Sequence, residues 1–153
     1  MKLISHRGNI AGPISKLENS PAYLFNAIES GYDVEVDVWI SQGMIYLGHD
    51  APTYLVDEQL ITELSRAAWF HCKNYEAFNY FLDSPYRFFS HDKDPYAVVL
   101  GLNRYIWCYP GQPVPPKRGI EVLPEWNMGL TELSSLLNKP IFGVCSDYVE
   151  LIR

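Results

Sequence analysis

Apolar and polar positions alternate along the chain in short runs that predict strands, broken by stretches at helical spacing. Lys2 to Ser5 reads as a strand that delivers His6-Arg7-Gly8 at its C-terminal end. Ser20 as N-cap and Pro21 as first helical residue predict a helix to about Ser30, with Ala22, Phe25, Ala27 and Ile28 on its apolar side and Gly31 as its stop. Tyr32 to Trp39 is the strongest strand. Successive side chains of a strand take opposite faces, so Glu35 and Asp37 share one and Val34, Val36 and Val38 share the other. Gln42-Gly43 predicts a tight turn into an antiparallel or hairpin partner, Met44 to Leu47, which ends at Gly48-His49-Asp50.

Beyond it, Asp57 caps a helix from Glu58 to about Arg66. Ala67 to Lys73 returns to strand, placing His71 and Lys73 on one face. Asn74 caps a third helix whose Ala77, Phe78, Phe81 and Leu82 form an apolar stripe, ended by Pro85. Tyr86 to Ser90 is a strand, and Asp94-Pro95 predicts a turn or two of helix before Gly101. Arg104 to Tyr109 is again strand, the proline-rich 112–118 segment an extended loop, and Ile120 to Leu123 a further strand. Thr131 caps a last helix to about Leu137, and Ile141 to Cys145 closes the series.

Alternating strands and short helices favour βα units and a largely parallel sheet. Nearly every strand delivers a polar group at its C-terminal end: His6, Glu35 with Asp37, His49, His71 with Lys73, His91, Glu125 and Asp147. Parallel α/β folds gather their sites at that edge. The expectation is one α/β domain over residues 1–153, a reduced TIM-like (β/α) barrel with shortened or missing helices, since the full barrel takes about 250 residues.

Composition narrows the function classes. Hydrophobic content of 48% fits a packed domain, and a net charge of −6 without a Lys/Arg cluster argues against nucleic-acid binding. No apolar run approaches the ~18 residues of a membrane span, and the Met1 to Ser5 start meets His6-Arg7 too soon for a signal peptide. Cys72, Cys108 and Cys145 sit singly inside apolar runs and read as reduced buried thiols, which points to a cytoplasmic protein. Trimmed helices leave sheet surface open to homo-oligomer formation.

Two carboxylates brought together call for a compensating charge, and a divalent cation suits carboxylate oxygens; the bland alternative is an edge strand with two solvated acids. A metal there, an Arg fork for phosphate oxygens and two imidazoles for proton transfer are the equipment for splitting a phosphodiester. Taken singly, a strand-end histidine is more often structural, Asp50 and Asp147 serve turns, and Lys73 is a solvated charge.

His6-Arg7-Gly8, Glu18-Asn19-Ser20, Glu35-Val36-Asp37 and His49-Asp50 resemble, in order and spacing, the HRG, EN(T/S), ExD and HD series of the glycerophosphodiester phosphodiesterase family, over about a third of the chain. The closing Gly143-Val144-Cys145-Ser146-Asp147-Tyr148 is similar to that family's G-x-x-(T/S)-D-Y segment. The resemblance implies His6 and His49 as acid/base pair, Arg7 with Lys73 and Glu18 at the phosphate, and Glu35 and Asp37 as metal ligands. His71-Cys72-Lys73 stands where the family has E-x-K, so His71 takes the place of the third carboxylate ligand. The expected cofactor is a divalent ion, Mg, Ca or Mn, with His71 drawing the preference toward Mn, Co or Zn. The expected activity is hydrolysis of a glycerophosphodiester or similar small phosphodiester. The alternatives are a non-catalytic anion-binding module and a lyase that forms a cyclic phosphate. Trp126 and the aromatic run Tyr105 to Tyr109 are candidates to line the substrate pocket, although core packing is the commoner role for such residues.

Overall fold

A computed structural model describes residues 1–153. Strand β1 is Lys2–His6, β2 Asp33–Ser41, β3 Met44–Leu47, β4 Tyr54–Val56, β5 Ala68–Cys72 and β6 Phe88–Phe89. The series ends with β7 Tyr96–Val99, β8 Tyr105–Cys108, β9 Gly119–Val122 and β10 Gly143–Ser146. The helices α1 (Pro21–Glu29), α2 (Glu58–Leu64) and α3 (Tyr75–Phe81) all lie before residue 82, and the rest of the chain has only 3-10 turns, the longest Leu130–Asn138.

The expectation of a reduced TIM-like (β/α) barrel is overturned. The strands form one mixed sheet in the order β4-β3-β2-β1-β10-β9-β8-β7, with β5 on the other side of β2 and β6 beyond it. Strands β1, β2, β5, β6, β8, β9 and β10 pair in parallel, but β3, β4 and β7 run antiparallel to their neighbours. The sheet curls into a half-barrel whose ends meet at a single antiparallel bridge, Phe88 to Leu100. It is mainly β, because the chain between β7 and β10 is too short and too proline-rich to cover its strands with helices.

Two differences have local causes. The turn of helix expected after Asp94 is β7: Tyr96 to Val99 suits a strand, and the antiparallel partner β8 supplies the hydrogen bonds. The last predicted α-helix is 3-10, which stacks Leu133 and Leu136 on one side, both buried. Where helices form, their caps hold. Asp57 accepts from Leu60 N at 2.9 Å and Asn74 from Ala77 N at 3.2 Å, while Ser20 occupies its N-cap without a side-chain bond.

Alternation along β2 organises the packing. Val34, Val36 and Val38 face out and form one core with Leu24 and Ala27 of α1, Ile61 and Leu64 of α2, and Phe81 of α3. The interior of the curl is a second core that includes Ile4, Trp69, Phe89, Val99, Trp107 and Ile120. Asp33, Glu35 and Asp37 alternate with the valines and are all buried. Asp33 closes the base through Lys2 Nζ at 2.9 Å, Arg87 Nη1 at 2.9 Å and Trp69 Nε1 at 2.9 Å. Glu35 and Asp37 lie further along the strand, at the mouth. No helix is long and apolar enough to cross a membrane.

Candidate functional site

Parallel pairing sets the site's register. His6 lies opposite Glu35 across β1 and β2, and Asp37 lies opposite His71 across β2 and β5. The β2–β3 hairpin then turns the chain back, and Gly48 N donates to Asp37 O at 3.1 Å, which places His49 beside the same carboxylate. After β1 the chain turns sharply at Arg7, φ 55°, and Gly8, φ 93°. A Cβ on Gly8 would meet Tyr23 Cδ1 at 2.6 Å, so only glycine fits. Arg7 and Asn19 (φ 61°) both hold left-handed backbone that non-glycine residues seldom adopt, and the bond from Asn19 N to Arg7 O at 3.0 Å joins them.

All eight residues singled out in the sequence meet at this mouth. Glu35 is 2% exposed and Asp37 0%, and with His71 their ligand atoms lie within 4.8 Å of one another. His71 Nδ1 lies 3.0 Å from Asp37 Oδ1 and 3.3 Å from Glu35 Oε1. Its Nε2 is 3.0 Å from the His91 carbonyl oxygen, which only accepts, so Nε2 carries a proton and Nδ1 is the atom offered to the carboxylates. Ligands on one divalent ion sit at most about 4–5 Å apart. Glu35 Oε2 is buried without a hydrogen-bond partner, and Asp37 Oδ1 is buried with only the charged His71 and Lys73 beside it, oxygens that an ion in this position would satisfy. The donor set therefore fits a divalent metal.

Charges within the site are balanced without one. Burial pulls the His71 imidazolium down, but the hydrogen-bonding and charge of Asp37 and Glu35 more than offset it and lift the group to about 9. Burial pushes the Asp37 carboxyl up, yet His49, His71 and Arg7 hold it well below the usual carboxylate range. Two adjacent acids on one strand face suggest that one is protonated when no metal is bound; the cations around Asp37 remove that need for it.

Arg7 is fixed by three partners: Nε at 3.1 Å from Asp37 Oδ2, Nη1 at 3.1 Å from Glu18 Oε2 and Nη2 at 3.2 Å from His49 Nε2. Glu18 is occupied by Arg7 and by Asn9 Nδ2 at 3.0 Å, so it orients the guanidinium and does not itself face a phosphate. Lys73 Nζ lies 3.5 Å from Asp37 Oδ1 and 3.4 Å from His49 Nδ1. Asp50 Oδ1 comes within 3.6 Å of His49 Nε2, but its side chain is 97% exposed.

The two histidines differ in their partners. His6, 9% exposed, has Nδ1 2.8 Å from Asp147 Oδ1 and Nε2 4.0 Å from Glu35 Oε2. Burial disfavours its charged form, but the Asp147 hydrogen bond and the Glu35 charge raise its pKa above the ordinary value. His49 Nε2 faces Arg7, which can only donate, so that nitrogen presents a lone pair and Nδ1–H faces Asp37 Oδ2 at 3.3 Å.

Three contributors carry roles that the sequence did not assign. Asp147, one of the strand-end polar groups but read singly as a turn residue, is the partner of His6. Asn9 donates to both Glu18 and Asp147, and Asn19 grips Asp37 twice at 2.9 Å, through its side-chain carboxylate and its backbone N–H. Asn19 and Asp147 lie inside the quoted motifs, and Asn9 directly follows one, which was the available signal.

Two cavities meet over these groups. One, about 320 Å³, extends past His71 and Lys73 to Trp107, Tyr109 and Lys93. The other, about 660 Å³, runs past Lys16, Glu18, Thr53 and Tyr54. Both share His6, Arg7, His49, Leu123 and Trp126 as walls. Trp126 thus lines the pocket, together with Trp107 and Tyr109, whereas Tyr105 stacks into the core against Trp69 and Phe142. Compared with protein-family models, curated proteins and solved structures, the chain gives no match, so the functional reading rests on the arrangement of these residues.

Proposed function

We propose that the chain is a metal-dependent phosphodiester hydrolase that acts on a glycerophosphodiester or similar small phosphodiester, with His6 and His49 as acid and base. The observation that carries this reading is the convergence of both histidines on one buried carboxylate pair, His6 beside Glu35 and His49 beside Asp37. The two cavities support a diester over a monoester, because a centre with room on both sides accommodates two substituents. The resemblance to glycerophosphodiester phosphodiesterases rests on the same residues.

Glu35, Asp37 and His71 would hold the ion, which supplies positive charge to a phosphoryl oxygen. Arg7 and Lys73 offer N–H donors to the remaining oxygens, and an arriving phosphate draws Arg7 away from His49 Nε2. The freed lone pair takes a proton from water as its oxygen bonds to phosphorus. His6 gives the proton on Nε2 to the leaving oxygen as its bond to phosphorus breaks, with Asp147 fixing the ring. A mixed nitrogen and oxygen ligand set favours Mn²⁺, Co²⁺ or Zn²⁺ over Mg²⁺ or Ca²⁺.

A non-catalytic anion-binding module draws on one observation: Arg7, Lys73 and His71 are already paired within the chain. Hydrolysis of bis(p-nitrophenyl) phosphate across a metal panel separates the two. The expected result is turnover that is highest with Mn²⁺, Co²⁺ or Zn²⁺ and falls at least ~10² in His6→Ala and His49→Ala. Metal binding without turnover would favour the module.

A further inference from the structure

The smaller cavity has two unlike kinds of lining. Tyr109 and Trp126, with an edge of the 3% exposed Trp107, supply aromatic surface, and His91, Asp92 and Lys93 supply polar groups. Trp126 stands at the rim where the two cavities join and is 63% exposed, so much of its ring is open to a ligand. Tyr109 belongs to the smaller cavity alone and meets His91 edge to face, ring centres 5.4 Å apart, where the two surfaces join.

We propose that this cavity recognises a phosphate ester of a six-membered polyhydroxylated ring, a pyranose or a cyclitol. The proposal takes its phosphate position from the phosphodiesterase reading and its ring from the cavity. Such a ring has apolar C–H faces, which pack on aromatic surfaces, and a polar edge of hydroxyls, which pair with imidazole, carboxylate and ammonium groups. Other occupants fit one wall and fail on the other. A quaternary ammonium seeks aromatic faces but offers no hydrogen-bond donor or acceptor to His91, Asp92 and Lys93. An acyl chain would strip water from Asp92, Lys93 and His91 and return no hydrogen bonds. A short acyclic polyol leaves the aromatic wall wet. At about 320 Å³ the space suits one such ring next to the phosphate.

The test is a calorimetric titration of the full chain, with Mn²⁺ present, against inositol 1-phosphate, glucose 1-phosphate, phosphocholine and glycerol 3-phosphate. None contains a diester, so the comparison reads recognition independently of turnover. At least one ring phosphate should bind tenfold or more tighter than phosphocholine and glycerol 3-phosphate, and the tighter of the two assigns pyranose or cyclitol. Tyr109→Ala and Trp126→Ala should erase that preference, and Trp126→Phe, which keeps an aromatic face, should retain it; circular dichroism checks that each variant is folded. Equal or tighter binding of phosphocholine, or an equal loss for all four probes in Tyr109→Ala, overturns the proposal. Failure here alongside cleavage of bis(p-nitrophenyl) phosphate leaves the phosphodiesterase reading standing. Ring-phosphate binding without any diester cleavage retires the hydrolase and keeps the recognition.

Discussion

Asp37 is the residue on which the site's charges converge. It takes Arg7, His49, His71 and Lys73 around a fully buried carboxylate, with Asn19 beneath. Removing one member of a buried pair leaves an uncompensated charge and costs about 3–5 kcal/mol. Asp37→Asn should therefore destabilise the metal-free protein by that order in urea unfolding, and an unchanged midpoint would contradict the network. His71 sets the pH behaviour. Its folded pKa of about 9 lies above the ordinary 6.5, so the stability it contributes is fully present below 6.5 and is lost as pH rises through 9. The melting temperature of the metal-free protein should fall across that window, and in His71→Gln the fall should disappear. Asp147 acts on catalysis through His6. Asp147→Asn keeps the shape of the side chain but removes the charge that favours the protonated imidazole, so the alkaline limb of the pH–rate profile, where the general acid His6 loses its proton, should move to lower pH. A profile with unmoved limbs would make Asp147 a purely structural partner.

At the scale of elements, Asn74 joins two parts of the framework. It caps α3 through Ala77 N and also pairs with Ile40 on β2, accepting from its N at 3.2 Å and donating to its O at 2.8 Å. Loss of a cap costs about 1 kcal/mol and a buried polar pairing adds a similar amount. Asn74→Ala should lower stability by roughly 2 kcal/mol, against a few tenths for a solvated turn residue. The cap was legible because an Asn before an apolar stripe at helical spacing has a local cause. So were β1, β2 and the β2–β3 hairpin, where strand period and a Gln-Gly turn agree. Strand β7 was not, since Asp94-Pro95 reads as a helix start and only the distant partner Tyr105–Cys108 turns the following residues into a strand. Three-residue β4 is too short to show any period. The metal ligands were visible because strand alternation alone puts Glu35 with Asp37, and β5 supplies His71. The roles of Asn9 and Asn19 depend on loop geometry, which no period encodes.

For the whole molecule, β strands do the work that helices do in a full (β/α) barrel. The interior is closed by Trp69, Phe89 and Trp107, and the outer face is covered by α-helices over β2, β3, β5 and β6 and by 3-10 turns over β10. The alternation that suggested βα units is real up to α3 and stops there. What survives the change of architecture is the placement of the polar groups, because parallel neighbours β1, β2, β5 and β10 still end at one mouth. The proposed hydrolysis requires that this mouth hold a divalent ion through Glu35, Asp37 and His71. Isothermal calorimetry of Mn²⁺ binding, repeated in buffers of different ionisation heat from pH 6.5 to 9, tests it most directly. The expected result is one site per chain, affinity that rises with pH across this range, proton release that shrinks toward pH 9 as His71 loses its proton unaided, and no binding in Glu35→Gln or Asp37→Asn. Absence of Mn²⁺, Co²⁺ and Zn²⁺ binding throughout that range, or binding that survives both substitutions, would contradict it.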